Sequence, residues 1–191
     1  MKNINVAMNG LGSVHKTLSG ILKDKQLVLK EKYDIGFNVV MISDSSGVAV
    51  NNNGFNMVEV IAHKNSGGRV SGLSEYQDKS FLDILSDTNV DLVWEASPVD
   101  FDTGGEALEI ARDALNRGIS VVLANKGPVV KAHGELKALS NNSGAGFKYS
   151  ATVCGGLPIL NIGERDMIAG DVSEFSGVFN GTCNFILDVL K

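Results

Sequence analysis

The residues with the clearest potential for chemistry form the sequence GLGSVH at positions 10–15, between an apolar segment and an amphipathic one. Gly10 and Gly12 occupy the first two positions of the dinucleotide-binding pattern G-x-G-x-x-G, in which they allow a tight turn and close approach of a pyrophosphate. His15 stands at the third position and is expected to be packed or solvated rather than a ligand. A turn that opens a helix also directs amide hydrogens and the positive end of the helix dipole at a phosphate. We therefore predict a dinucleotide-binding turn, with an ordinary tight turn as the alternative.

Asp44 follows the second long apolar segment, 37–43, and is a candidate ligand of a cofactor ribose. A carboxylate at the end of the second strand accepts hydrogen bonds from the adenosine ribose and repels a 2′-phosphate. Asp44 therefore favours NAD over NADP, although it suits equally well the role of a turn former in DSSG. Lys64 or Arg69 could fold back to meet a phosphate, so NADP remains the alternative cofactor.

Two polar pairs, Ser97–Pro98 and Asn125–Lys126, follow two further apolar segments. The carboxyl ends of parallel strands meet at one edge of a sheet, which is where ligands bind in open α/β folds. Lysine can serve as a catalytic group because burial or a neighbouring cation brings its pKa towards neutrality. We predict a functional role for Lys126, since a surface cation at a helix N-terminus would oppose the dipole.

The elements that must position these residues alternate between strand and helix patterns, which predicts an α/β fold with a Rossmann-like, doubly wound parallel sheet. Val14, Leu18, Ile21 and Leu22 recur at helical spacing and predict one helix over 13–30 with a single buried stripe. The segment 45–75 shows the least pattern. Predicted strands cover 4–9, 37–43, 90–96 and 119–125, and the other predicted helices cover 56–64, 80–85, 106–117 and a segment that begins at Lys126.

The pattern changes after about residue 144, which divides the chain into a predicted dinucleotide-binding domain, 1–145, and the incomplete start of a second domain, 146–191. The second segment predicts a strand to about residue 179, followed by an amphipathic helix. That helix shows no cap or stop signal before Lys191, so we expect the chain to be cut inside the second domain.

Composition excludes several classes of function. The formal net charge of the 191 residues is -5 and the basic residues are scattered, which argues against a nucleic-acid partner. No signal-peptide pattern and no apolar run of about 18 residues is present, so we expect neither secretion nor a membrane span. Cys154 and Cys183 are expected to be reduced packing residues of a cytoplasmic protein, and neither has a neighbouring histidine that would suggest a cysteine-dependent dehydrogenase.

Four motifs taken in order resemble homoserine dehydrogenase: GLGSV, ANKGP, YSATVCGGLPIL and GVFNGTCNFIL. The resemblance covers the whole chain and implies a cofactor domain followed by the beginning of an α+β catalytic and dimerisation domain. The family transfers a hydride between NAD or NADP and L-homoserine or L-aspartate 4-semialdehyde, in the biosynthesis of threonine, methionine and isoleucine. The resemblance also implies a small-molecule substrate and, for the full-length protein, a homodimer.

The resemblance also implies roles for individual residues. The pyrophosphate would be lined by Gly10, Gly12, Ser13 and Val14. The nicotinamide side would be contacted by Ser97, Pro98 and Lys126, of which Lys126 also reaches the substrate, and the site would be closed between the domains by Asn180, Gly181 and Thr182. Backbone carbonyls that match a monovalent-cation loop belong to Val153, Gly155 and Leu157.

Three departures from the family pattern bear on these expectations. His15 replaces the third glycine, and Ser150 stands where many members have a glutamate that would be the charged ligand of the cation. The acidic substrate ligands and the principal acid–base lysine of the family are expected beyond Lys191. This chain alone is therefore expected to be inactive, and the alternative function is a nucleotide-binding module without catalysis.

Overall fold

A computed structural model describes residues 1–174, 176–178 and 180–190 and divides the chain into two compact units, Met1–Lys148 and Tyr149–Lys191. The first unit contains a seven-stranded sheet. Its strands are β1 (Lys2–Asn9), β2 (Ile35–Asp44), β3 (Gly47–Val50), β4 (Tyr76–Gln77), β5 (Leu92–Glu95), β6 (Ser120–Leu123) and β7 (Phe147–Lys148). Its helices are α1 (Ser13–Asp24), α2 (Gln26–Tyr33), α3 (Met57–Asn65), α4 (Phe81–Asp87), α5 (Gly105–Asn116) and α6 (Lys126–Ser143).

The strand order is β4-β3-β2-β1-β5-β6-β7. The five neighbouring strands β2, β1, β5, β6 and β7 pair in parallel. The predicted Rossmann-like α/β fold is thereby confirmed. The strands β3 and β4 add an antiparallel edge to β2, and the sequence pattern predicted neither of them. After β1 the chain builds β2 on one side and later β5 on the other, so a crevice opens between their carboxyl ends.

The core forms because the central strands are apolar on both faces and helices cover both faces. In β1, Val6, Ala7 and Met8 have no exposed surface, and the middle of β2 is equally buried. The last residue of each of these strands is polar. These polar ends are therefore the positions at which the sheet can present functional groups to a ligand.

The helix predicted over 13–30 is two helices, because Lys25 (φ −97°, ψ 4°) leaves the helical region between α1 and α2. The predicted buried stripe is also wrong in part. Val14 and Ile21 are each 50% exposed, whereas His15 and Ser19 are buried. The helix is rotated so that Leu18 and Leu22 still pack against the core while Val14 faces the crevice.

Caps define the starts of two other helices. Asn56 accepts a hydrogen bond from the amide of Val58 and begins α3, which lies where a helix was predicted over 56–64. Ser80 accepts a hydrogen bond from the amide of Asp83 at 3.1 Å, and α4 follows it as predicted. A capping side chain satisfies amides that the first turn of a helix leaves without a partner.

The second unit consists of a short turn at Ser150–Thr152, helix α7 (Ile159–Asn161) that continues into a π-helical turn, and helix α8 (Gly181–Val189). The strand predicted to end near residue 179 is absent from residues 171–174 and 176–178. A strand needs a hydrogen-bonding partner, and the described part of this unit contains no other strand. Phe179, where the predicted strand ends, lies outside the described residues.

The first unit extends beyond residue 145 because β7 pairs with β6. The roles of 1–145 and 146–191 as cofactor domain and start of a catalytic domain remain predictions. Both cysteines are free thiols, but they are exposed rather than packed as expected. Among the helices in the described part of the chain, none combines the length and apolar character needed to cross a bilayer.

Candidate functional site

The turn at Gly10 has a geometry that glycine alone satisfies. Its φ of +83° lies in the left-handed region, which side chains with a Cβ rarely adopt. A Cβ at this position would lie 2.6 Å from the backbone N and Cα of Ser97 and 2.7 Å from the carbonyl carbon of Ala96. The end of β1 therefore passes directly against the end of β5, with main chain on both sides of the contact.

The N-terminus of α1 is held in place by main-chain hydrogen bonds. The amide of Leu11 donates to the carbonyl of Ser43 at 2.7 Å, and the amide of Lys16 donates to the carbonyl of Gly12 at 3.0 Å. Among the described residues, no side chain caps this helix. The amides of the exposed residues Ser13 and Val14 therefore lie at the positive end of the helix dipole and can donate to an anion.

His15 packs beneath the turn instead of facing solvent. Its side chain is 2% exposed, and Nδ1 lies 3.0 Å from the carbonyl oxygen of Gly10. Because a carbonyl can only accept a hydrogen bond, Nδ1 must carry the hydrogen. Burial lowers the pKa of His15 to about 4, against a smaller opposing effect of the bond to Gly10, so the ring is neutral near pH 7. The imidazole thus braces the turn from the position at which the usual pattern has glycine.

Asp44 lines the crevice and also organises the turn that follows β2. One carboxylate oxygen accepts hydrogen bonds from the amide (2.8 Å) and hydroxyl (2.6 Å) of Ser46. The other oxygen contacts the ammonium of Lys64 and accepts a bond from the amide of Val70 at 3.1 Å. Burial by itself raises the pKa of Asp44, but the bonds from Lys64 and Ser46 outweigh it and lower that pKa to about 2. The Lys64 side chain does fold back to the end of β2, where it forms an ion pair with Asp44.

A buried polar group, which the sequence reasoning missed, joins the ends of three strands. Asn9, Ser43 and Glu95 lie at or next to the last positions of β1, β2 and β5, and each is less than 10% exposed. The side chain of Asn9 donates to Glu95 at 2.6 Å and accepts from the hydroxyl of Ser43. The signal was present in the sequence, since each of these polar residues directly follows an apolar run: VAM before Asn9, VVMI before Ser43 and LVW before Glu95.

Asn125 connects the loop after β5 to the start of α6. Its carbonyl oxygen accepts a bond from the amide of Gly127 at 2.9 Å and caps the helix. Its amide nitrogen donates to the backbone oxygens of Ser97 (3.2 Å) and Pro98 (3.1 Å). Lys126 is exposed on the first turn of this helix.

The crevice at the carboxyl ends of β1, β2 and β5 has a volume of about 560 Å³. It brings together seven of the residues predicted to bind the cofactor: Gly10, Gly12, Ser13, Val14, Asp44, Ser97 and Pro98. Lys126 is not among the described residues that line it, whereas Lys64 and Arg69 are, and the role of Lys126 remains a prediction. Lys126 lies at the start of α6, which follows β6, and β5 separates β6 from β1 in the sheet.

A larger groove of about 860 Å³ lies between α1, α2, β2 and α3. Its walls mix lysine, asparagine and apolar side chains, and none of the strand-end residues described above borders it. The smaller crevice is the better candidate site, because the loops at the carboxyl ends of the strands converge there.

The remaining predicted site residues belong to the second unit. Asn180 caps α8 by accepting a bond from the amide of Cys183 at 3.0 Å, and Gly181 and Thr182 form the first turn. Within the described residues, no cluster of three or more His, Cys, Asp or Glu side chains suits a metal ion. A cation held by the carbonyls of Val153, Gly155 and Leu157 would not require such a cluster, and that site remains a prediction.

Comparison with curated proteins identifies relatives of one kind. The chain is 30% identical over 189 residues to the homoserine dehydrogenase of Methanocaldococcus jannaschii, covering 98% of this chain and 56% of that protein. It is 28% identical to the NAD(+)-dependent homoserine dehydrogenase of Pseudomonas canavaninivorans, with 100% and 55% covered. The chain thus spans about half the length of the curated relatives it matches. No protein-family model matches the chain.

Solved structures agree with this comparison. The crystal structure of a putative homoserine dehydrogenase from Archaeoglobus fulgidus aligns with a TM-score of 0.81 at 28% identity, over 98% of this chain and 54% of that one. A hyperthermophilic archaeal homoserine dehydrogenase in complex with NADPH aligns with a TM-score of 0.70 at 28% identity, over 84% and 48%. The chain is therefore a relative of the homoserine dehydrogenases, and it corresponds to the N-terminal portion of these proteins.

Proposed function

We propose that this chain is the cofactor-binding portion of an NAD(P)-dependent homoserine dehydrogenase, which transfers a hydride between NAD(P) and L-homoserine or L-aspartate 4-semialdehyde. The observation that carries the proposal is the contact of the Gly10 turn with the backbone of Ser97, beside the uncapped start of α1. Gly10 allows this tight turn, and at Gly12 a Cβ would meet only the carbonyl oxygen of Gly10, at 3.9 Å, so the backbone there is open to a diphosphate, as the fingerprint requires. Similarity to the two relatives and two structures above supports the choice of reaction.

The chain's own residues would orient and polarise the reactants. When bound, the nicotinamide cofactor supplies the hydride chemistry. The amides of Ser13 and Val14 would bind the diphosphate, and Gly10 and Gly12 would allow its approach. Ser97 and Pro98 would contact the nicotinamide-side ribose, since Asn125 and Glu95 hold that segment at the crevice.

Lys126 would reach the nicotinamide and substrate from the start of α6 and polarise the substrate oxygen. Asn180, Gly181 and Thr182 would close the site, and the carbonyls of the Val153–Leu157 loop would bind a monovalent cation. These assignments follow the family resemblance. We extend the proposal to a homodimer of the complete protein and to a cytoplasmic location, which suit an enzyme of amino-acid biosynthesis.

The proposed cofactor preference is NAD, with NADP as the alternative. Asp44 keeps a negative charge down to about pH 2, and a carboxylate at this position repels a 2′-phosphate. Lys64 offsets part of that charge. One similar protein is an NAD(+)-dependent enzyme and another was solved in complex with NADPH, so similarity does not select between the two cofactors. The preference proposed for this chain therefore rests on Asp44.

Replacing Asp44 with alanine is expected to shift the ratio of NADP+ to NAD+ affinity towards NADP+ by about tenfold, since like-charge repulsion of this kind costs one or more kcal/mol. The substitution removes the repelling carboxylate and leaves the Lys64 ammonium in the crevice without it. Calorimetric titration of both cofactors measures the ratio, and Asp24→Ala on the exposed end of α1 is the control. An unchanged ratio would show that Asp44 does not select the cofactor.

Two measurements test the proposed function as a whole. Isothermal calorimetry of this chain with NAD+ and NADP+ is expected to show binding of at least one of them. The complete natural gene product that contains this chain is expected to oxidise NAD(P)H in the presence of L-aspartate 4-semialdehyde. Cofactor binding without that activity would favour the alternative, a nucleotide-binding module, and the absence of binding to a folded sample would refute both.

A further inference from the structure

Glu95 is a buried carboxylate at the meeting point of the strands that form the crevice. It is the last residue of β5 and is 1% exposed. Oε2 accepts a hydrogen bond from the side-chain amide of Asn9 at 2.6 Å. Oε1 accepts bonds from the backbone amide (2.7 Å) and the hydroxyl (2.5 Å) of Ser97. None of these partners is a cation, so hydrogen bonds alone compensate the buried carboxylate.

The carboxylate imposes a direction on the hydrogen bonds that lead to the Gly10 turn. Both oxygens of Glu95 accept in these bonds, so Asn9 presents its nitrogen to Glu95 and its oxygen to Ser43. The hydroxyl hydrogen of Ser43 is then committed to Asn9, and a lone pair of the same hydroxyl accepts from the amide of Gly10 at 3.3 Å. One chain of hydrogen bonds therefore runs from the glycine turn to Glu95.

A second branch runs to the other side of the crevice. Glu95 holds the amide and the hydroxyl of Ser97, and Asn125 donates to the backbone oxygens of Ser97 and Pro98. Asn125 also caps the helix on which Lys126 lies. Side-chain hydrogen bonds through Glu95 thus join the ends of β1, β2 and β5, in addition to the main-chain bonds between these strands.

We propose that Glu95 is a positioning residue of the cofactor crevice: as an acceptor it fixes the spacing between the Gly10 turn and the Ser97–Pro98 segment. The proposal rests on the proposed function, because a dinucleotide is the ligand that these two segments would hold at its diphosphate and its nicotinamide side. The other ionisable groups that line the crevice are Asp44, Lys64, Arg69 and Glu106, with His15 beneath the turn. None of them bonds to Glu95 among the described contacts.

The substitution Glu95→Gln tests the proposal because it preserves the shape of the side chain, removes its charge and replaces one acceptor oxygen by a donor nitrogen. The new amide nitrogen opposes the nitrogen of Asn9, so Asn9 has to turn over and the bond to Gly10 is disturbed. We expect the affinity for the preferred nicotinamide cofactor to fall by about tenfold or more, together with faster hydrogen exchange at the amides of Gly10 and Ser97. Glu31→Gln on the exposed surface of α2 is the matched control and should change neither quantity.

The double variant Asn9→Asp with Glu95→Gln separates direction from packing. The amide introduced at position 95 is then able to donate to the carboxylate introduced at position 9 and still accept from Ser97. That carboxylate accepts from Ser43, as the Asn9 side chain does in the natural chain. We expect this variant to recover slow exchange at Gly10, although Asn9→Asp alone would place two carboxylates in contact. A double variant no better than Glu95→Gln would overturn the directional role, including the case in which both fail to fold.

The exchange measurement is made on the chain without cofactor, which separates this proposal from the proposed function. If the natural chain binds neither NAD+ nor NADP+, the proposed function fails, while exchange at Gly10 and Ser97 still decides the role of Glu95. If the natural chain binds and Glu95→Gln binds equally well with unchanged exchange, the proposed function stands. In that case the role of Glu95 is refuted.

Discussion

Alanine at position 10 is expected to destabilise the folded chain by about 3 kcal/mol or more and to weaken dinucleotide binding by about a hundredfold. Two costs add at this residue. A φ of +83° strains any residue that carries a Cβ, and the new methyl group would lie 2.6 Å from the backbone of Ser97. Backbone on the opposite side cannot rotate away as a flexible side chain would. The turn or the end of β5 must therefore shift, and the site for the diphosphate shifts with it.

Urea unfolding and calorimetric titration with NAD+ and NADP+ measure these two effects of Gly10→Ala. The matched control is Gly20→Ala in the middle of α1, where a Cβ meets no other atom within 4 Å. Alanine is favoured over glycine inside a helix, so the control is expected to stabilise the chain by about 0.5–1 kcal/mol. A Gly10→Ala chain that unfolds and binds like the natural chain would show that the turn is not built on this contact.

Acidification is expected to destabilise the chain by about 3 kcal/mol through His15, between its unfolded pKa of 6.5 and its folded pKa of about 4. In this pH range His15 is protonated in the unfolded state and stays neutral in the folded state. Stability from this residue is therefore complete above pH 6.5 and is lost as the pH falls towards 4. The slope is about 1.4 kcal/mol per pH unit.

Other groups change stability with pH as well, so the effect of His15 must be measured as a difference. Burial raises the pKa of Glu95, although its hydrogen bonds lower it. As the pH falls, Glu95 is protonated in the folded state before the unfolded state, so its effect on stability is opposite to that of His15. Asp44, with a pKa of about 2, contributes stability that is lost only below about pH 4. Comparison with His15→Asn isolates the histidine, because the amide of asparagine can still donate to Gly10 but does not titrate. Equal slopes in both proteins between pH 6.5 and 4 would contradict the prediction.

The fold and part of the site follow from local signals in the sequence. Apolar segments, a Gly-x-Gly turn and polar residues after each strand predict the sheet and the edge at which Gly10, Asp44 and Ser97 meet. The position of Val14 could not be predicted in the same way. Helical spacing identifies a face of α1, but the turn beneath it decides which face is buried, and there His15 is buried and Val14 faces the crevice.

The rest depends on contacts between distant parts of the chain. The strands β3 and β4 are short, and β4 pairs through Tyr76 and Gln77 alone, so neither produces an alternating pattern. Lys64 and Asp44 are twenty positions apart, and their ion pair forms only when α3 returns to the end of β2. The role of Glu95 likewise becomes visible when Asn9 and Ser97 are seen on either side of it.

Both outermost strands of the sheet are two residues long: Tyr76–Gln77 at one margin and Phe147–Lys148 at the other. So short a margin offers few unsatisfied main-chain donors and acceptors to a strand from another molecule, which discourages amyloid-like stacking and strand exchange. Self-association of this unit would then have to proceed through side-chain surfaces, where substitutions can tune it without disturbing the hydrogen-bond ladder.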